Sequence, residues 1–352
     1  MRPNRLQPSL IIALLLSFFI EDTAQATAKT EDLTIGKTWC ATSTALTDGG
    51  RIDAIDYLGD GVVIAGTRNP IPRIIYKSED YGNTWKTIGP VTDRGFITCI
   101  AGYKGGIAYL LEGYNTHVWK TEDYGETWKD LGRVAESKNT EGYANAYSLI
   151  VTTNGTVLVA TAQSAGGHII RSTDGGNTWT DIGSISERAL YRLTRINGGI
   201  LANGWAGTIY LSTDDGQTWE TERHLSETDL YATEYLGDGI ILQGDKAGRL
   251  FRSHDNGLTW EHLGIIGDAT DDLVNLGNGN VVLTTYTKEK NIYHSSDYGK
   301  TWINLGPPAT ENDDWFDHVI SFEHQGEFIA VGGTNKGYLM TTCPDPETKL
   351  TH

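Results

Sequence analysis

Cysteine is scarce in these 352 residues: Cys40, Cys99 and Cys343 are the only three. That is too few for a disulfide-stapled miniprotein, and they lack the paired spacing of a zinc site. Basic residues are also in deficit, 28 Lys and Arg against 45 Asp and Glu, for a net charge of -17. Such a field repels phosphate backbones and anionic bilayers over most of the surface, so neither nucleic acid nor a membrane is an expected partner. Long apolar runs are missing after the first residues. The run from Leu10 to Ile20 falls short of the ~20 residues that cross a bilayer as a helix. With Arg2 and Arg5 before it and Ala24-Gln25-Ala26 after it, it has the pattern of a secretory signal peptide. Residues 1–26 are therefore set aside. The mature chain, 27–352, is expected to be extracellular and to form one domain, and its 42 glycines point to many tight turns.

A motif of the form Ser/Thr-x-Asp-x-Gly-x-Thr-Trp recurs six times, beginning at Ser78, Thr121, Ser172, Ser212, Ser253 and Ser295. Its aspartates, Asp80, Asp123, Asp174, Asp214, Asp255 and Asp297, are 43, 51, 40, 41 and 42 residues apart. This is the period of four short strands per propeller blade. Side chains of this kind cap turns: Ser/Thr and Asp satisfy turn N–H groups, Gly supplies positive φ, and Trp fills space between sheets. The box aspartates are thus read as structural rather than catalytic.

The motif resembles the Asp box, or BNR repeat, of sialidases and several other propeller families, and the resemblance spans nearly the whole mature chain. It implies an all-β, seven-bladed propeller with four antiparallel strands per blade. Six blades carry a box. The seventh has strands near Val319–Phe322, Glu327–Val331 and Tyr338–Thr342 and then runs out of chain. The missing half-box, Gly36-Lys-Thr-Trp39, stands at the other terminus. The N-terminal strand is therefore expected to be the outer strand of the last blade, a closure that removes exposed sheet edges. The same alignment places Cys40 and Cys343 on adjacent strands as a candidate disulfide. Cys99 reads as a small core residue.

Ligands of such propellers bind at the mouth opposite the boxes, where loops lead into the inner strands. Box alignment starts those strands at Ile52, Ile97, Tyr147, Tyr191, Tyr231, Leu273 and His318. Tyrosines and an imidazole around an opening suit sugar stacking and proton transfer. His117 and His168 hold matching positions in successive blades, so the catalytic candidates are His117, His168, Tyr191 and His318. Substrate-binding candidates are Arg51, Arg94, Arg188 and Arg192, with Tyr147, Trp205 and Tyr231 as aromatic platforms; arginine gives bidentate geometry on a sugar carboxylate. Arg68, Lys246, Tyr114 and Tyr286 lie nearby. Two acid clusters, Asp268/Asp271/Asp272 and Asp313/Asp314/Asp317, offer oxygen ligands that would suit Ca²⁺, without the spacing of an EF-hand.

Three functional readings follow. The chain is similar to propeller lyases of the rhamnose–glucuronate type, which implies a carbohydrate-active enzyme cleaving a glycan at an acidic sugar, with a cation on the carboxylate and a His or Tyr taking the α-proton. It also resembles sialidases, with Arg68-Asn-Pro70 near their Arg-x-Pro motif, though seven blades rather than six are counted. The third reading is a non-catalytic glycan- or protein-binding propeller. The expected partner is an acidic polysaccharide or glycan, and a monomer is expected.

Overall fold

The computed structural model describes residues 39–41, 50–69, 73–92, 95–135, 145–163, 166–310 and 313–342. The signal-peptide reading of residues 1–26, Arg94 and Cys343 fall outside these. Seven four-stranded antiparallel sheets are arranged in chain order, joined by tight turns and two short 3-10 turns, Lys104–Gly106 and Trp205–Gly207. The inner strands are Ile52–Gly59, Ile97–Gly102, Asn145–Val151, Leu190–Ile196, Leu230–Gly237, Thr270–Asn275 and Phe316–His324. We number the blades 1 to 7 in that order.

Blade 7 closes as the half-box predicts. Trp39–Ala41 pairs antiparallel with Leu339–Thr342, with Trp39 opposite Thr342 and Cys40 opposite Thr341. Cys40 is disulfide-bonded and Cys99 is a free thiol.

The boxes are hairpin turns locked by their own side chains. In blade 1, Ser78 Oγ accepts the Gly82 N–H at 2.8 Å and donates to Asp80 Oδ1 at 2.8 Å. Asp80 also accepts the Thr84 N–H and hydroxyl at 2.8 and 2.6 Å. The same bonds recur in the blade-3 box, where the Thr178 hydroxyl leads the set of donors holding Asp174 down to about 2. These carboxylates are consumed by turn formation.

Each box also mortars one sheet to the next. The apolar clusters are shared by adjacent blades, and each contains one tryptophan of the box type: Trp85, Trp128, Trp179, Trp219, Trp260 and Trp302 from the six boxes, and buried Trp39, packed at a tilt with its ring centroid 4.6 Å from that of Phe316, at the seventh junction. Covering such rings between sheets adds to the apolar contacts that hold neighbouring blades together. The box glycine must be bare for the same packing: a Cβ on Gly125 (φ +85°) would lie 2.8 Å from Ile64 of the preceding blade.

Candidate functional site

Every inner strand carries the same irregularity near its start. The register against its neighbour slips by one residue, leaving Asp53, Thr98, Tyr147, Tyr191, Tyr231, Asp271 and Asp317 outside the ladder in blades 1 to 7. A bulge re-aims a side chain away from the alternating pattern. All seven bulged residues line one cavity of about 610 Å³ on the propeller axis. The ring is divided by chemistry. Blades 3 to 5 contribute three tyrosines, blades 6, 7 and 1 three aspartates, and blade 2 a threonine.

Tyr147, Tyr191, Tyr231 and Tyr286 form a continuous arc, with successive ring centroids 5.2, 5.4 and 6.1 Å apart. Burial, then the charge of Asp229 and the neighbouring phenols, pushes Tyr191 up to about 12. Burial likewise raises Tyr231, assisted by Tyr286 and Asp229. Both phenols keep their protons at neutral pH, so Tyr191 is a hydrogen-bond donor there and not a base.

On the opposite half, Asp53 accepts from Arg51 Nε at 2.5 Å and Arg68 Nη1 at 2.8 Å. Asp317 Oδ1 accepts from Arg51 Nη2 at 2.9 Å and Trp315 Nε1 at 3.0 Å. One layer deeper, buried Asp272 ties blades 4, 6 and 7 together: it accepts from Arg192 at 2.7 Å and the Val319 N–H at 3.1 Å, and faces His318 Nδ1 at 3.1 Å. Burial pushes this carboxyl up, but Arg192 and His318 outweigh it and hold it at about 2. His318 lines the cavity with one ring nitrogen committed to Asp272, an arrangement that fixes the ring for proton transfer at the other. Below this layer, burial pushes Glu234 up to about 8.

The structure thus brings together Arg51, Arg192, Tyr147, Tyr191, Tyr231 and His318 from the sequence-derived candidates. Arg68 and Tyr286 line the same cavity, whereas His117, His168, Arg188 and Trp205 lie elsewhere. His117 and His168 lie on third strands, far down their sheets from the axis, each facing an outer-strand carboxylate: Asp130 at 3.3 Å and Asp181 at 3.0 Å. Their matching positions reflect a shared structural tie, since both aspartates also accept the N–H two residues on. Arg188 stacks over exposed Trp205 at 5.3 Å in a separate groove of about 480 Å³ that includes His224. The acid clusters are divided among tasks. Asp268 caps the loop at Thr287 to Glu289, Asp313 pairs with Lys290, and Asp314 accepts from Thr310, Trp315 and Lys336. No group of three or more acidic, His or Cys side chains among the described residues is arranged to hold a metal ion. Cys99 also lines the cavity, but burial pushes its thiol up to about 11, which leaves it unreactive.

Sequence reasoning missed Asp53 and Glu234, and read Asp271 and Asp317 as oxygen ligands suited to Ca²⁺. The signal was present: each of the three aspartates stands within one or two residues of a proposed strand start.

Comparison with known proteins agrees with this architecture. The family model described as BNR-Asp box repeat matches residues 75–88 and 292–305, so the chain carries BNR-Asp box repeats on a seven-bladed propeller. No curated protein matches it by sequence. Among solved structures, the chain is similar to YCF48 from Cyanidioschyzon merolae at 14% identity and TM-score 0.65, covering 88% of this chain and 99% of that one. A structure of YCF48 bound to D1 peptide gives 16%, TM-score 0.66 and coverage of 87% and 97%. A catalytically inactive histidine-to-alanine variant of virginiamycin B lyase from Staphylococcus aureus, with quinupristin, gives 11%, TM-score 0.70 and coverage of 86% and 98%. At these identities the likeness is one of fold.

Proposed function

We propose that this chain is a secreted, carbohydrate-active propeller that binds a sugar ring of a glycan in the axial cavity, with His318 moving the proton in its cleavage. The observation that carries the reading is the divided ring: a tyrosine arc on which the apolar face of a sugar stacks, facing carboxylates and guanidinium groups that take its hydroxyls. His318, oriented by Asp272, stands in the same cavity wall. A buried carboxylate behind an imidazole fixes its tautomer and stabilises the imidazolium that forms on proton uptake. A virginiamycin B lyase of the same fold is catalytically inactive as a histidine-to-alanine variant, so activity can depend on a histidine in such a scaffold.

Support for an acidic sugar is weaker than for a neutral or amino sugar. Elimination next to a uronate requires a cation on the sugar carboxylate, and Arg51, Arg68 and Arg192 each already face one or two protein carboxylates. The test is a panel of neutral, amino, sialylated and uronate-containing oligosaccharides, followed by reducing-sugar release and absorbance near 235 nm. Reducing sugar without absorbance, lost in His318→Ala, is the expected result. Absorbance would restore the uronate lyase. Binding without turnover in wild type would remove the catalytic part of the proposal.

A further inference from the structure

The carboxylate half of the ring lacks enough positive charge. Asp53 is saturated by two guanidinium groups. Asp317 is different: its side chain is 1% exposed, Oδ1 serves Arg51 and Trp315, and Oδ2 is buried in the cavity wall with no hydrogen-bond partner among the described residues. Asp271, next to it in the ring, makes no hydrogen bond or ion pair with any described residue, and its Oδ2 is buried as well. A buried carboxylate oxygen without a partner is costly, and two in one cavity wall call for something brought from outside. Burial pushes both carboxyls well above the usual range; Asp272 and Asp53 add to the shift of Asp271, Asp53 and Asp271 to that of Asp317, and Arg51 offsets it only in part.

The same location is bounded by aromatic faces. Asp271 is close enough to Tyr286 to raise its phenol, after burial, and Tyr286 is the end of the tyrosine arc. Trp315, bonded to Asp317, lines the cavity on the other side. Carboxylates beside aromatic faces form the combination that recognises an organic ammonium, through charge-assisted hydrogen bonds and cation–π attraction together. A metal ion fits less well, because the described residues converge in no metal-holding cluster.

We infer that Asp271 and Asp317, with Tyr286, form a subsite for a primary ammonium, and that the sugar held in the cavity is an amino sugar. The inference rests on the glycan reading above and adds to it the charge of the ligand. The ammonium pairs with the Asp271 carboxylate in the cavity wall, beside Tyr286 and with Asp317 next to it, while the ring of the same sugar lies on the arc.

The test is calorimetry of the full mature chain with two probes of identical backbone, tetra-glucosamine and its fully N-acetylated counterpart, and a third, tri-lysine. The amine oligosaccharide is expected to bind at least tenfold more tightly than the acetylated one. Asp271→Asn should bring the two within a factor of two of each other. Because Asp271 bonds to no described residue, this variant should fold, and an unchanged circular dichroism spectrum and melting temperature would verify that; Tyr286→Ala, which should also reduce the preference, is the second variant. Equal binding of the two sugars by wild type would overturn the ammonium subsite and leave the glycan reading standing. Binding of tri-lysine with no binding of either sugar would overturn the amino-sugar assignment and the glycan reading together. A tenfold preference that survives Asp271→Asn and Tyr286→Ala would place recognition elsewhere and also overturn the proposal.

Discussion

Glu234 should act against the stability of the fold increasingly as pH rises. It sits on the inner strand of blade 5, three residues beyond Tyr231, where its carboxylate accepts one backbone N–H, from Asn275 at 3.3 Å. Burial raises it from 4.5 to about 8, with Arg192 opposing and Asp272 adding to the shift. At about 1.4 kcal/mol per tenfold, that displacement corresponds to about 4–5 kcal/mol between the two protonation states, and access of channel water reduces it to about 2–4 kcal/mol. Below pH 4.5 the group is protonated in the folded and unfolded chain alike and costs nothing. Above that, the unfolded chain ionises while the folded chain keeps its proton up to about 8. The unfolded state then binds fewer protons, so stability falls as pH rises through this window. Glu234→Gln keeps the shape and removes the titration. Urea denaturation at pH 5 and pH 8.5 should find the variant within about 1 kcal/mol of wild type at the lower pH and about 2–4 kcal/mol more stable at the higher. A difference between the two proteins that does not change with pH would refute the reasoning.

Other consequences can be read in the same denaturation assay. Gly125→Ala forces a side chain onto a positive-φ position and against Ile64, so a loss of about 2–4 kcal/mol is expected; a loss under about 1 kcal/mol would mean that the blades separate easily there. Ser78→Ala leaves the buried Gly82 N–H without its acceptor and should cost about 1–3 kcal/mol, while Ser78→Thr, the residue found at the same place in the blade-2 box, should recover most of it. Asp272→Asn removes the counter-charge of Arg192 and the partner of His318. It should destabilise by about 3–5 kcal/mol at pH 7, and by less in a background where Glu234 is free to ionise than in Glu234→Gln, which a double-mutant cycle would show.

The ring itself was readable in the sequence because one local device makes it. Ser78 to Trp85 and its five repeats state a turn, a spacing and an inter-sheet tryptophan at once, and Gly36-Lys-Thr-Trp39 announces where the seventh tryptophan comes from. The site was readable only in part. Tyr147, Tyr191 and Tyr231 were found because a tyrosine stands at the bulge in each of blades 3 to 5. In blades 1, 2, 6 and 7 the alignment slipped by one or two residues, choosing Ile52, Ile97, Leu273 and His318 in place of Asp53, Thr98, Asp271 and Asp317. The distance from bulge to box differs from blade to blade, so the box alone does not fix where a strand starts, and the bulge that all seven blades share reverses the alternation of buried and cavity-facing positions that would otherwise mark it. His117 and His168 misled for the opposite reason. They are truly equivalent, but equivalence along a blade does not say how far from the axis a strand lies.

Whether the ring of bulged residues is where a ligand sits is most directly decided by calorimetric titration of the tightest-binding oligosaccharide against Tyr191→Ala and Trp205→Ala. Tyr191 belongs to the axial ring and Trp205 to the separate groove with Arg188. The account predicts a loss of at least tenfold in affinity for Tyr191→Ala and a change of less than twofold for Trp205→Ala. The reverse pattern would contradict it and move the binding site to the side groove.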